Sequence, residues 1–324
     1  MKIKRIALAS AMCLSVLAAA GCKSKEATDI TFLLDWAPNT NHTGLFVAQE
    51  LGYYKEAGLN VKIEQPGETG TSLLVHSGKA QFGIDFQDQM VPNHANNMKT
   101  TAIAAVIQHN TSGIISLKKS NITSPKDMEG KVYATWGLPI EQKIIAQCMK
   151  NDNDGDFSKV EQFPDFVTDA LTSMQAGNID CAWIFEGWDL QRAKQENLDY
   201  NYFSFRDYDS RLDFYTPVII GNNDFIENNP EVTKKFLEAT KKGYTYAIEH
   251  SDEAAEILHK ITPETPIELI KLSQSFLANE YISDAKSWGV IDATRWNNFF
   301  GWVNDNGLVE NKIPADYGFT NKYL

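Results

Sequence analysis

Arginine is the scarcest charged residue in this 324-residue chain. Past Arg5 only Arg192, Arg206, Arg211 and Arg295 remain, against 42 Asp and Glu, and the formal net charge is −12. Nucleic-acid binding needs basic patches that neutralise phosphates, so a chain this acidic is excluded from that class. The shortage also counts against sulfonates and nitrate, although backbone N–H groups alone can hold such anions. Cysteine is rarer still: Cys13 and Cys22 fall near the start, leaving only Cys148 and Cys181. Two distant thiols make neither a disulfide framework nor an iron cluster, and their spacing leaves open whether they pair. The six histidines show no metal spacing. Asn151 to Asp156 looks like a calcium loop, but Phe157 and Phe163 stand where Gly and Glu are required, counting from Asp152. No nucleophile elbow or phosphate-cradling glycine loop occurs. Neither metal nor cofactor is expected.

What is present begins with a leader. Lys2, Lys4 and Arg5 precede the apolar run Ile6–Leu17, then the small residues Ala18 to Gly21, then Cys22. This is the layout of a secretory signal, too short to stay as a membrane anchor. A cysteine at that point resembles the bacterial lipoprotein box, in which it is lipidated and becomes the mature N-terminus. Ala19 replaces the usual Leu; the alternative is ordinary cleavage after Ala20. Removing residues 1–21 takes three positive charges away and the net charge to −15. Residues 22–28 read as a polar tether. The expectation is an extracytoplasmic monomer, held to a bacterial membrane by lipid on Cys22.

From Ile30 onward, short apolar strands alternate with amphipathic helices, the α/β pattern. Polar composition at His109–Gly113 suggests one crossing between lobes, and Tyr215–Gly221 the return. The expected division is therefore 29–112 with 216–324 as one discontinuous lobe and 113–215 as the other. Ligands in such folds sit between lobes, at the carboxyl ends of strands.

The stretch Leu34–Ala48 leaves the first strand and enters the first helix, aiming free N–H groups at the cleft. Asp35, Asn39, Asn41 and His42 add hydrogen-bonding groups and Trp36 a stacking face. Any one of them has a plain alternative as cap or core, but one short turn rarely needs so many amides. Gln87 can both donate and accept, with a solvated loop amide equally plausible. Trp36, Trp136, Trp183 and Trp188 offer faces for a flat ring, although at least two of the mature chain's tryptophans must be core.

The run Asp35–Ala48, with Leu51–Tyr54 and Gly58–Val61 behind it, resembles the bacterial binding lipoproteins for thiamine pyrimidine precursors, of the NMT1/THI5-like family. Gln81–Ile84, Ile107–Ile114, Trp136–Glu141 and Ala182–Asp189 extend the likeness over nearly the whole mature chain. The resemblance implies a periplasmic-binding-protein type II fold whose lobes close on a formylated aminopyrimidine. It implies a stacking aromatic and a carboxylate on the second lobe, here Phe185 and Asp189, with Glu186 and Trp188 adjacent and Trp136 and Glu141 in the preceding motif. The family pattern has Tyr at the Glu186 position and Glu near Asp189, so this chain departs from it. Riboflavin or a sulfonate-type solute is the alternative ligand. A histidine in the related turn of the eukaryotic pyrimidine synthases takes part in chemistry, so an enzyme reading stands behind these through His42. The expected role is binding, for delivery to an ATP-driven permease, without catalysis.

Overall fold

Residues 27–165 and 167–324 are described by the computed structural model. The leader, Cys22 and most of the tether lie outside the described residues. In chain order the strands are β1 (Thr28–Leu33), β2 (Leu59–Glu64), β3 (Phe82–Asp85), β4 (Thr100–Ala105) and β5 (Ser112–Leu117). There follow β6 (Val132–Ala134), β7 (Glu161–Gln162), β8 (Cys181–Phe185), β9 (Tyr200–Ser204) and β10 (Val218–Asn222). They assemble as two five-stranded sheets, β2-β1-β3-β10-β4 and β7-β6-β8-β5-β9. In each, the strands linked through helices run parallel, as a helical crossover demands. β10 enters antiparallel between β3 and β4, with a register shift at Ile219/Ile220.

β10 departs from the sequence reading, which took Tyr215–Gly221 only as a crossing. Five residues containing a Gly carry too short a pattern to announce a strand. Once between β3 and β4 they are fully buried. Two short 3₁₀ turns, Phe205–Asp207 and Ser210–Leu212, make up the return path instead.

The two paths between the sheets are tied together. Asp213, on the return path, sits 2.7 Å from His109 Nδ1 and accepts the Asn110 N–H at 2.9 Å. Arg295 Nε lies 3.4 Å from the same carboxylate. Burial alone would raise the Asp213 carboxyl, but the bonds from His109 and Asn110 and the neighbouring positive charges hold it below its ordinary range.

The C-terminal part is helical, at Pro230–Glu249, Ser251–Ile261, Ile267–Glu280 and Ala293–Asp305. The first of these presses on the helix Thr43–Glu50 so closely that side chains are excluded at the crossing. A Cβ on Gly44 would lie 2.2 Å from the Tyr244 ring, and one on Gly243 would lie 2.0 Å from the Gly44 carbonyl. Trp288, Trp296 and Trp302 are fully buried and belong to the core. Cys148 and Cys181 are buried free thiols, which settles the pairing left open by spacing. No helix among the described residues is long and apolar enough to cross a membrane.

Candidate functional site

The turn after β1 is held rigid from below. Asn39 caps the 3₁₀ turn Thr40–His42, accepting the Asn41 N–H at 2.9 Å, while its amide nitrogen donates to Ala37 O. His42 is fully buried; Nε2 lies 2.6 Å from Asp35 Oδ1, and Nδ1 accepts the Asn39 N–H at 3.2 Å. Tyr281 and Tyr244 donate from the C-terminal helices to the carbonyls of Thr40 and Asn41, each at 2.6 Å. Thr40 Oγ1 meets Ser273 Oγ at 2.5 Å, and Ser273 in turn bonds the Gly187 carbonyl of the second lobe. Asn39, Thr40 and Asn41 here face Thr111, Phe185, Gly187, Trp188 and Thr216 across a gap of about 10 Å³. That is room for about one water molecule.

Beside this constriction, sharing Phe185 and Thr216 with it, lies a larger cavity of about 180 Å³. Its lining is chiefly aromatic: Phe86 and Phe214 with Trp136, Trp183 and Phe185. Phe185 is near-parallel to two rings, Phe86 at 6.2 Å and 16° and Trp136 at 6.0 Å and 17°. A flat ring inserted between two faces needs about 7 Å, twice the carbon contact distance. Entry of a ring therefore requires Phe185 to move or the lobes to part by about 1 Å. Trp183, packed on Phe205 with centroids 4.2 Å apart, has an indole N–H with no acceptor among the described residues. An unpaired buried donor costs on the order of 1–3 kcal/mol.

One carboxylate joins these rings. Asp88, half-buried, follows β3 by three residues and lines the cavity with Gln89. Burial, then the charge of Asp85, pushes its carboxyl up to about 7, only partly offset by nearby backbone and Gln89 donors. Asp85 is raised to about 6, again by burial first, although Ser72, Asn93 and the Phe86 N–H all donate to it.

Other side chains singled out from sequence are placed elsewhere. Gln87 is fully buried and spends its amide on the Tyr215 N–H and the Trp296 carbonyl, joining the return path to the last helix. Glu141 is buried and collects the Tyr133 hydroxyl at 2.5 Å and the N–H groups of Trp136 and Leu138. It shapes the turn that presents Trp136. Trp36 is 58% exposed and lines neither cavity. Glu186 accepts from Tyr202 at 3.2 Å, its carboxyl raised by burial. Asp189 lies near Asp169 and Arg192, with burial pushing it up to about 6.

Residues 39–254 match the family model described as NMT1/THI5 like. This chain belongs to the NMT1/THI5-like family. The formylaminopyrimidine-binding protein of Halalkalibacterium halodurans is 27% identical, over 95% of this chain and 96% of that protein. The 4-amino-5-hydroxymethyl-2-methylpyrimidine phosphate synthase THI11 of Saccharomyces cerevisiae is 24% identical, over 91% and 87%. Among solved structures, the alkanesulfonate-binding protein SsuA of Xanthomonas axonopodis pv. citri superposes with a TM-score of 0.69 at 8% identity, covering 92% of this chain and 99% of that one. The fold is the two-lobed periplasmic-binding-protein type II architecture.

In this family member the cavity draws on residues that sequence reasoning passed over: Phe86, Asp88, Gln89, Phe214 and Thr216. A signal for the first three was available. They leave the carboxyl end of β3, where open α/β sheets place their ligands. Gln87 stood out there for its side-chain amide. The fold turns that amide to Tyr215 and Trp296, while Phe86 and Asp88 on either side of it line the cavity.

Proposed function

We propose that this protein captures a small, flat, amine-bearing nitrogen heterocycle between its lobes and passes it to an ATP-driven membrane importer. A thiamine pyrimidine precursor is the first choice. The observation that carries this is the aromatic cavity built from both lobes, with Phe86 and Trp136 each near-parallel to Phe185, and a carboxylate on its wall. At about 180 Å³ it falls below the ~300–1,000 Å³ of drug-sized sites. That suits one ring with short substituents better than the fused rings of riboflavin. Sulfonates fare worse, because no Lys, Arg or His is among the residues lining it. Arg192, Arg206, Arg211 and Arg295 all sit beside carboxylates instead. The formylaminopyrimidine-binding relative supports the same choice.

Residues 29–112 with 216–324 act as one lobe and 113–215 as the other, closing on the ligand. Trp136 and Phe185 supply ring faces, and Asn39, Asn41 and Trp188 close over one side. Asp35 and His42 hold the turn, Gln87 and Glu141 hold the walls, and Glu186 and Asp189 are supporting groups of the second lobe. The chain works outside the cell as a monomer anchored through lipid on Cys22. Mass spectrometry of membrane-extracted protein tests this by showing a diacylated N-terminal Cys22 or an unmodified one.

The synthase relatives keep an enzyme reading in view. His42 argues against it here, since it is fully buried and both ring nitrogens are engaged by Asp35 and Asn39. Titration calorimetry with formylated and plain aminopyrimidines, riboflavin and an alkanesulfonate decides the ligand. Binding of an aminopyrimidine alone supports the proposal; binding of riboflavin or the sulfonate in its place overturns it.

A further inference from the structure

Stacking alone does not account for the polar groups on the aromatic cavity. Asp88 accepts from a single side chain, Gln89 Nε2, at a long 3.3 Å. Its neighbour Asp85 is engaged on both oxygens. Trp183 lines the same cavity, is 4% exposed, and its Nε1–H meets no acceptor among the described residues. One under-used acceptor and one ring that carries an unpaired donor thus line a cavity whose other walls are chiefly aromatic.

We propose, building on the function above, that Asp88 and Trp183 read the edge of the ligand ring. The Asp88 carboxylate accepts an N–H from an exocyclic amine, and the Trp183 indole N–H donates to a ring nitrogen or carbonyl of the same ligand. The site then selects a ring that carries a donor close to an acceptor, an amino-substituted azine. Above about pH 7, where Asp88 is ionised, a ring with a carbonyl in place of the amine sets oxygen against carboxylate, two acceptors with no proton between them. A hydrocarbon ring leaves both groups unpaired. Burial already penalises the charged form of Asp88, and a donor on the ligand relieves that penalty. The amine's partner is then on the first lobe and the stacking ring of Phe185 on the second, so one small ligand contacts both and favours the closed form.

The test is titration calorimetry of the full chain at pH 8, where Asp88 is ionised, with two probes, 4-amino-2-methylpyrimidine and 2-methylpyrimidin-4-one. The proteins compared are the natural chain, Asp88→Asn and Trp183→Phe, with circular dichroism confirming their fold. The natural protein binds the amine roughly tenfold to hundredfold more tightly than the oxo ring, the discrimination expected of one good base-edge contact. Asp88→Asn loses that preference, because an amide offers a donor as well as an acceptor. Trp183→Phe weakens binding of the amine by about tenfold while the preference survives. A preference unchanged in Asp88→Asn overturns the role of Asp88, and unchanged affinity in Trp183→Phe overturns that of the indole. Either result leaves the aminopyrimidine reading standing if the natural chain binds the amine. A natural chain that binds neither probe overturns both readings.

Discussion

The ring of Phe86 lies nearly parallel to that of Phe185, 6.2 Å away; Phe86 directly follows β3 of one sheet and Phe185 ends β8 of the other. Each strand ends at the cleft, so the pair measures how far the lobes are closed. Phe185→Ala removes the ring common to both near-parallel pairs. Base-like rings stacked on aromatics gain roughly 1–3 kcal/mol, so affinity for an aminopyrimidine falls by about tenfold or more. Phe185→Tyr keeps most of it. Calorimetry on the two variants checks this; equal binding by Phe185→Ala moves the ring elsewhere.

Ser273 bridges the lobes through Thr40 and the Gly187 carbonyl. Ser273→Ala removes that bridge without changing the cavity. The closed form is weakened by about 1 kcal/mol, the worth of one hydrogen bond, so affinity falls a few-fold. Small-angle X-ray scattering of the unliganded variant shows a larger radius of gyration than the natural protein.

Glu141 matters through Trp136. Glu141→Gln exchanges a carboxylate that accepts two backbone N–H groups and a hydroxyl for an amide with one acceptor. Stability falls by about 2–3 kcal/mol, the range for bonds to a charged group. Ligand affinity falls with it, because the turn carrying Trp136 loosens. Urea denaturation and calorimetry together read both effects.

Gly44→Ala places a methyl inside the Tyr244 ring, where the nearest carbon is 2.2 Å away. Overpacking costs about 1–3 kcal/mol or more, and Tyr244 also holds the Asn41 carbonyl. The variant melts several degrees lower and binds more weakly. Gly301→Ala, at an open helical position, serves as the control that does neither.

Asp88 makes stability depend on pH. Its folded carboxyl titrates at about 7 and its unfolded one near the ordinary 3.8, so the folded chain holds a proton the unfolded chain has released. The associated stability is complete below about pH 4 and is lost as pH rises through 7. Asp88→Asn removes this loss. Between pH 5.5 and 8 the natural protein loses at most about 2 kcal/mol relative to the variant, at about 1.4 kcal/mol per pKa unit. Asp127, Asp169 and Asp213 have lowered values and work in the opposite sense at acid pH, but they are common to both proteins and cancel. Melting curves at the two pH values check it; parallel slopes remove Asp88 from the account.

Alternation of short apolar runs with amphipathic helices was enough to show an α/β fold, because each element's period is a local property of the chain. The helices from Pro230 onward were legible in the same way. The strand Val218–Asn222 was not, since its burial comes from β3 and β4, more than 100 residues earlier. The carboxyl ends of strands pointed to the cleft; Trp136 could be picked as an aromatic, and Phe185 followed from the family resemblance. Which polar groups face the ligand could not be read locally. Glu141 and Gln87 have the same acceptor chemistry as a binding group, and only partners supplied by the fold show where those acceptors are spent. Nothing in the sequence sets Asp88 apart from the other carboxylates; the second lobe does so by bringing Trp136, Trp183 and Phe185 to the same cavity. Sequence by itself determined the α/β class, through periodicity, and the family, through the likeness of its motifs. The direction of each side chain was decided by tertiary structure, because it depends on contacts between residues that the chain order keeps far apart.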